Sequence, residues 1–321
     1  MPRRARLDAE GTLHHVIIRG IENRLIFNDD RDRENFLTRL HQLVPETGTK
    51  IYAWALLPNH AHFLLRSGLK GLSNFMRRLL TGYAQEYNRR HKRHGHLFQN
   101  RYKSIVCQEE VYFQELVRYI HLNPLRAGVV QDLKQLEEFE WCGHGVLMGR
   151  KECLWQDAEY VLSWFGGSLR KARKIYRVFV SEGIKLGRRP ELVGGGLIRS
   201  SGGWSVVKGL QVSKQKVLGD ERILGRGDFV EQVLKEADKK VKSSFFFRRQ
   251  KEKIWEQIIQ ECAREGISVQ ELRMGSRRRV VAKVRSDLAH RLSEQWGVPL
   301  AEIARELGVS TSAISQVLRR R

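Results

Sequence analysis

The stretch KIYAWALLPNHAHFLLRS, residues 50–67, constrains the fold more than any other part of the chain. Two mainly apolar runs of strand length flank Pro58-Asn59, a dipeptide that favours a turn, so the stretch reads as two strands joined there. Side chains two apart in a strand share a face. His60 and His62 therefore project side by side, while Ala61 and Phe63 point the other way, into the core.

The neighbouring segments supply partners for that hairpin. LHHVII (13–18) reads as a strand. DRENFLTRLHQLVPETG is an amphipathic helix, with Phe36, Leu37, Leu40 and Leu43 on one side. GLSNFMRRLLTGYAQEYNRRHKRHG reads as a second helix, apolar at Leu72, Phe75, Met76, Leu79, Leu80 and Tyr83. HLFQNRYKSIVCQ follows as a strand, then EEVYFQELVRYIHLN as a helix that stops at Pro124. The order β-α-β-β-α-β-α predicts an α+β domain over residues 1–135, a ferredoxin-like antiparallel sheet with helices on one face.

Beyond that point the expected organisation is mainly helical. Residues 136–203 read as a helical extension and linker, with seven glycines between 183 and 203. Residues 204–321 read as a basic helical domain. Its segment LAEIARELGVSTSAISQVLR (300–319) has the pattern of a helix-turn-helix. The apolar positions are 300, 303, 307, 309, 314 and 317, Ala304 is small where two helices cross, and Gly308 sits in the turn. Ser310, Thr311 and Ser312 offer an N-cap, and the second helix would present Ser312, Ser315, Gln316 and Arg319 outward to DNA. Two helices of an unrelated bundle are the plainer alternative.

Charge narrows the partners. The chain has 321 residues, with 58 Lys+Arg against 36 Asp+Glu, net +22. Such an excess calls for an anionic partner, and a polyphosphate such as DNA fits best. A membrane-surface role is the competing reading, but no uninterrupted run of apolar residues reaches spanning length. The first residues lack the apolar core of a signal peptide, so the expected location is cytoplasmic. The four cysteines are scattered. Cys142, His144 and Cys153 have one irregular spacing and no second ligand pair, so reduced cysteines fit better than zinc.

Two imidazoles on one strand face can chelate a divalent metal, although a packed pair would give the same spacing. Tyr119 and Asn123, four apart in RYIHLN, would share a helix face. A phenol and an amide so placed could act as nucleophile and third ligand, leaving open metal positions that suit Mg²⁺ or Mn²⁺ on a phosphate oxygen. As a single residue, Tyr119 could equally be a half-buried helix tyrosine. Arg77, Arg78, Arg89 and Arg90 make a basic stripe for a phosphate backbone, or in part a solvated face. Arg101 and Lys103 could contact the backbone near the metal. His91, His94 and His96 in HKRHGH read as a basic loop rather than a metal cluster.

HVIIRGIENRLIF, LLPNHAHFLL, GHLFQNRYKS and RYIHLNPLRAG, in this order, resemble the single-tyrosine HUH transposases, and among them the REP-associated tyrosine transposase branch. The resemblance covers roughly residues 1–135. It implies a metal-dependent enzyme that cleaves and rejoins single-stranded hairpin DNA through a 5′-phosphotyrosine. It assigns metal binding to His60 and His62, the nucleophile to Tyr119 and the third, amide ligand to Asn123. It also implies a homodimer and no nucleotide cofactor. Two other readings stay open at this point. One is a DNA-binding regulator with a relic nuclease core. The other is an HUH replication or conjugation initiator, although the chain has no GxxxxGK[ST] loop.

Overall fold

The computed structural model describes residues 7, 8, 10–69, 71–187, 189–193, 220–276, 278–295 and 298–319. The side chains of 190, 238–253 and 319 are excluded from that description. The chain divides into two compact units, Met1–Val233 and Leu234–Arg321.

The first unit is built on a sheet of five strands in the order β2-β3-β1-β4-β5. Strand β1 (Leu13–Arg19) leads to helix α1 (Asp30–Thr47), then β2 (Lys50–Leu57), β3 (His60–Arg66) and α2 (Gly71–Arg90). Strand β4 (Lys103–Cys107) and helix α3 (Glu109–His121) complete the expected β-α-β-β-α-β-α order. The turn between β2 and β3 is Pro58-Asn59, and the Pro58 carbonyl accepts from the amides of Ile26 and Phe27 at 2.8 and 3.1 Å. Helix α1 begins at Asp29, whose carboxylate accepts from the Asp32 amide, and ends at Gly48 with φ 68°. Helix α2 is fixed at its start by Asp8, which accepts from the amides of Leu72 and Ser73 at 2.7 and 2.8 Å.

Strands β1, β3 and β4 pair antiparallel to the neighbours expected of a ferredoxin-like sheet. Two features differ from the sequence-based expectation. Helices cover both faces, because every strand is apolar on both sides. Val16, Ile18, Ala61 and Phe63 pack under α1 and α2, while Leu13, Leu64 and Ile105 pack under α3. The second difference is β5 (Ile223–Leu224), which joins β4 in parallel from more than a hundred residues away. Two residues without patterned neighbours gave no strand signal.

Residues 136–193 belong to the first unit rather than standing apart from 1–135. After the short α4 (Asn123–Arg126) come α5 (Leu133–Glu138), α6 (His144–Leu147), α7 (Ala158–Ser163) and α8 (Leu169–Glu182), with a single 3₁₀ turn at Pro190–Leu192. Leu136, Leu147, Val161, Leu162, Tyr176, Val180 and Leu192 share one core with α3. Gln156 clamps this region to β2: its Oε1 accepts from Trp54 Nε1 at 2.8 Å, and its Nε2 donates to the Tyr52 carbonyl at 3.1 Å. Of the expected glycine-rich linker, residues 194–203 lie outside the described residues.

A buried polar bridge ties α3 to this region. The Tyr176 hydroxyl lies 2.8 Å from His121 Nδ1 and 2.7 Å from His144 Nδ1, and all three side chains are buried. Burial pushes the His144 pKa down to about 4 and that of His121 well below its usual value. His144 and Cys142 are therefore packed in this core rather than paired with the partly exposed Cys153.

The second unit closes around the end of α9 (Gly227–Arg264), with α10 (Val269–Arg273), α11 (Arg279–Glu294), α12 (Leu300–Glu306) and α13 (Thr311–Arg319). Ile258, Leu272, Val284, Leu288, Ile303, Ala304, Leu307 and Ile314 form its core. Gly308 adopts φ 68°, and a Cβ there would sit 1.9 Å from the Arg273 carbonyl oxygen, so only glycine fits. Ser310 Oγ accepts from the Ala313 amide at 3.2 Å and starts α13. Leu300, one of the apolar positions of the pattern, is exposed.

Replacing Tyr176 with Phe removes the partner of two buried imidazole nitrogens. An unmet buried polar group costs about 1–3 kcal/mol, so chemical denaturation of Tyr176→Phe should report a loss of about 2–4 kcal/mol with the sheet intact by circular dichroism.

Candidate active site

The pairing of β1 with β3 assembles the site. Arg19 stands opposite His60 and Ile17 opposite His62, with Lys103 of β4 opposite Ile17 on its other side. Directly opposed residues share a face, so Arg19, His60, His62 and Lys103 all lie on the face covered by α3. Tyr119 projects from α3 onto the same place, its ring centroid 5.9 Å from that of His62. The rings of His60 and His62 are 5.2 Å apart.

The donor atoms of the expected ligand set are available. His60 Nδ1 lies 2.6 Å from Asn59 Oδ1, and His62 Nδ1 lies 3.0 Å from His15 Nε2. Neither Nε2 has a hydrogen-bond partner among the described residues. Burial lowers the His60 pKa to about 4, with Arg19 adding to the shift, and holds that of His62 well below normal. Both rings are thus neutral at neutral pH, the form that binds metal. Asn123 lies just past the end of α3, in α4. Its Nδ2 donates to the carbonyls of Tyr119 and Ile120 at 2.9 and 3.4 Å, leaving Oδ1 without a hydrogen bond among the described residues. Two imidazole nitrogens and one amide oxygen suit a divalent ion such as Mg²⁺ or Mn²⁺. Among the described residues, no group of three or more His, Cys, Asp or Glu is arranged to hold a metal ion.

Tyr119 is half-buried, and desolvation raises its pKa; Arg126 and Arg19 act against that rise. The Arg126 guanidinium carbon lies 5.4 Å from the Tyr119 ring centroid. Neither His15 nor Arg126 stood out in the sequence. The doubled histidine of LHHVII was the available signal for the first, since a polar pair inside an apolar strand needs partners. Arg126 was hidden because its place beside Tyr119 depends on the turn after α3.

The expected phosphate stripe is mostly engaged elsewhere. Arg78 makes a bidentate pair with Glu46 at 2.7 Å, and Arg89 Nη2 donates to both carboxylate oxygens of Glu86 at 2.7 Å. Arg90 binds Asp29 and the buried Asp32, which also holds His91 at 2.9 Å. The Arg78 and Arg90 pairs tie α2 to α1, while Arg89, paired within α2, stays exposed. Arg77 and Arg101 are exposed and line one groove between α2 and residues 95–102, which also holds Phe98 and His96. Lys103 Nζ donates to the Val193 carbonyl at 2.6 Å. In the second unit Ser312 and Gln316 are exposed and Ser315 is half-buried, while the Arg319 side chain lies outside the described residues.

Residues 10–123 match the family described as "Transposase IS200 like". That segment is similar to IS200-like transposases over about a third of the chain. The match contains His60, His62 and Tyr119 and ends on Asn123. The match supports DNA transposase as the enzyme class of this chain, while Arg126, beside Tyr119, lies just beyond the matched residues. No curated protein matches. A solved chain described as a REP-associated tyrosine transposase bound to a REP hairpin is similar at 16% identity and a TM-score of 0.39, over 47% of this chain and 87% of that one. Among the described residues no helix is long and apolar enough to cross a membrane.

Arg126→Gln removes a cation beside the phenol. The Tyr119 pKa should then rise further, which a spectroscopic tyrosinate titration against wild type will register as one tyrosine displaced to higher pH.

Proposed function

We propose that this transposase cleaves and rejoins single-stranded hairpin DNA through a 5′-phosphotyrosine at Tyr119, in the manner of the REP-associated branch. The observation that carries the reading is the convergence of Tyr119 with His60 and His62 on one sheet face, with Asn123 on the turn after the tyrosine. His60 Nε2, His62 Nε2 and Asn123 Oδ1 would hold one Mg²⁺ or Mn²⁺. When bound, such an ion polarises the scissile phosphate and offsets its charge.

The remaining chemistry falls to the chain. Tyr119 Oη attacks phosphorus; the new O–P bond forms as the bond to the 3′ oxygen breaks, the phenol gives up its proton and the leaving 3′ oxygen gains one. The bond energy is retained in the phosphotyrosine, so a 3′-OH, the same or from another strand, reverses the step and rejoins DNA. Arg126 and Arg19 favour the phenolate. Arg77 and Arg101, exposed along one groove unlike the three paired arginines, would meet the strand's phosphates. The second unit would bind duplex DNA as a helix-turn-helix, with Ser312, Ser315, Gln316 and Arg319 on its reading helix. The Gly308 turn and Ser310 cap support that role. A homodimer acting in the cytoplasm accords with the same reading.

With a labelled single-stranded hairpin and Mn²⁺, the wild type should form a covalent adduct that survives denaturation, and Tyr119→Phe none. Tight duplex binding with no adduct would favour the regulator instead, and an adduct persisting in Tyr119→Phe would remove Tyr119 as nucleophile. Gln316→Ala should weaken binding to the preferred duplex by about 1–3 kcal/mol, measured by fluorescence anisotropy, without changing hairpin cleavage.

A further inference from the structure

His15 is fully buried on β1, and both of its ring nitrogens are engaged. Its Nδ1 lies 3.1 Å from the Leu192 carbonyl oxygen, and its Nε2 lies 3.0 Å from His62 Nδ1. A carbonyl oxygen only accepts, so His15 Nδ1 carries a proton and donates. Full burial against a second imidazole disfavours a charged ring, and a neutral imidazole has one donor and one acceptor nitrogen, which makes His15 Nε2 the acceptor. His62 Nδ1 must then donate to it. The proton on His62 Nδ1 leaves His62 Nε2 as a bare lone pair, the form a metal ligand requires.

We propose that the Leu192 carbonyl, acting through His15, fixes His62 in the tautomer whose Nε2 can bind a divalent metal ion, making His15 a positioning residue of the site. The proposal rests on His62 being a metal ligand, as in the function proposed above. Leu192 lies well beyond the IS200-like segment, which ends at 123. Its position is set by the packing of the later helices, since Leu192 is buried in the core they share with α3. Residues that follow the transposase domain thereby decide which nitrogen of a residue inside it carries a proton. His60 needs no such relay, because its own neighbour Asn59 accepts from its Nδ1. The His15 ring also meets Tyr119 edge-on, centroids 5.8 Å apart, so the same ring props the nucleophile.

The test compares wild type, His15→Gln and His15→Leu in the full chain. Glutamine keeps one donor and one acceptor at similar reach, whereas leucine keeps only bulk. Long-range ¹H–¹⁵N spectra of the metal-free protein read the His62 tautomer directly. Wild type and His15→Gln should show the proton on Nδ1, and His15→Leu a mixture of tautomers. Mn²⁺ titration followed by electron paramagnetic resonance should give His15→Gln an affinity close to wild type. His15→Leu should bind on the order of 10–100-fold more weakly, the usual effect of losing a ligand's supporting hydrogen bond. Equal Mn²⁺ affinity in all three, or a wild-type His62 protonated on Nε2, overturns the proposal. If the spectra show the relay but no variant or wild type binds Mn²⁺, the ligand assignment fails rather than the hydrogen-bond chain. Should His15→Leu not fold, the wild-type spectrum and the His15→Gln affinity decide.

Discussion

The antiparallel pairing of β1 with β3 is the contact on which the rest of the site depends. Its register puts Arg19 beside His60 and Ile17 beside His62, and a slip of one residue would turn both imidazoles into the apolar core beneath α1 and α2. That core guards the register. Ala61 and Phe63 fill it from β3, Val16 and Ile18 from β1, and a one-residue slip would turn them away from it. The helix bearing Tyr119 is then laid against a face whose polar positions are already decided.

Placing imidazoles in that setting has a chemical effect as well as a geometric one. Buried beneath α3, they stay neutral where solvated histidines would be partly charged, and neutral rings are what a cation needs. The same burial works against the tyrosine, since it disfavours the phenolate. Two guanidinium groups, of Arg126 and Arg19, act against that penalty. One sheet face thus sets two opposite pulls side by side: low proton affinity at the imidazoles, and guanidinium groups that oppose the burial of the phenol.

Much of this was legible in the sequence. Apolar periodicity and the Pro58-Asn59 turn give the element order, and the two-residue strand period places His60 and His62 together. The spacing of Tyr119 and Asn123 predicts neighbours on one helix; in the fold the helix ends between them, and the amide folds back to cap it. What pattern cannot carry is long-range pairing. The carboxylate partners of Arg78 and Arg90 lie on α1, so a stripe of cations in the sequence is, in the fold, largely a set of ion pairs. The place of residues 136–193 was equally hidden, because short helices with aromatic residues look alike whether they extend a domain or complete it.

The two outer strands of the sheet show what completing a domain means here. Along β2, the Leu56 amide donates to the Trp141 carbonyl, the Gly143 amide to Trp54 and the Asp157 amide to Ile51, while β5 lies along β4. Both edges are therefore occupied by chain from outside the transposase segment. An unpaired strand edge is a template for any other extended chain. A fragment ending near residue 135 would keep His60, His62, Tyr119 and Asn123 and lose the covering of both edges, leaving it prone to join other fragments through β2 and β4. The sheet that carries the site is thus not a portable module, and whatever rearranges the later region must keep those borders closed.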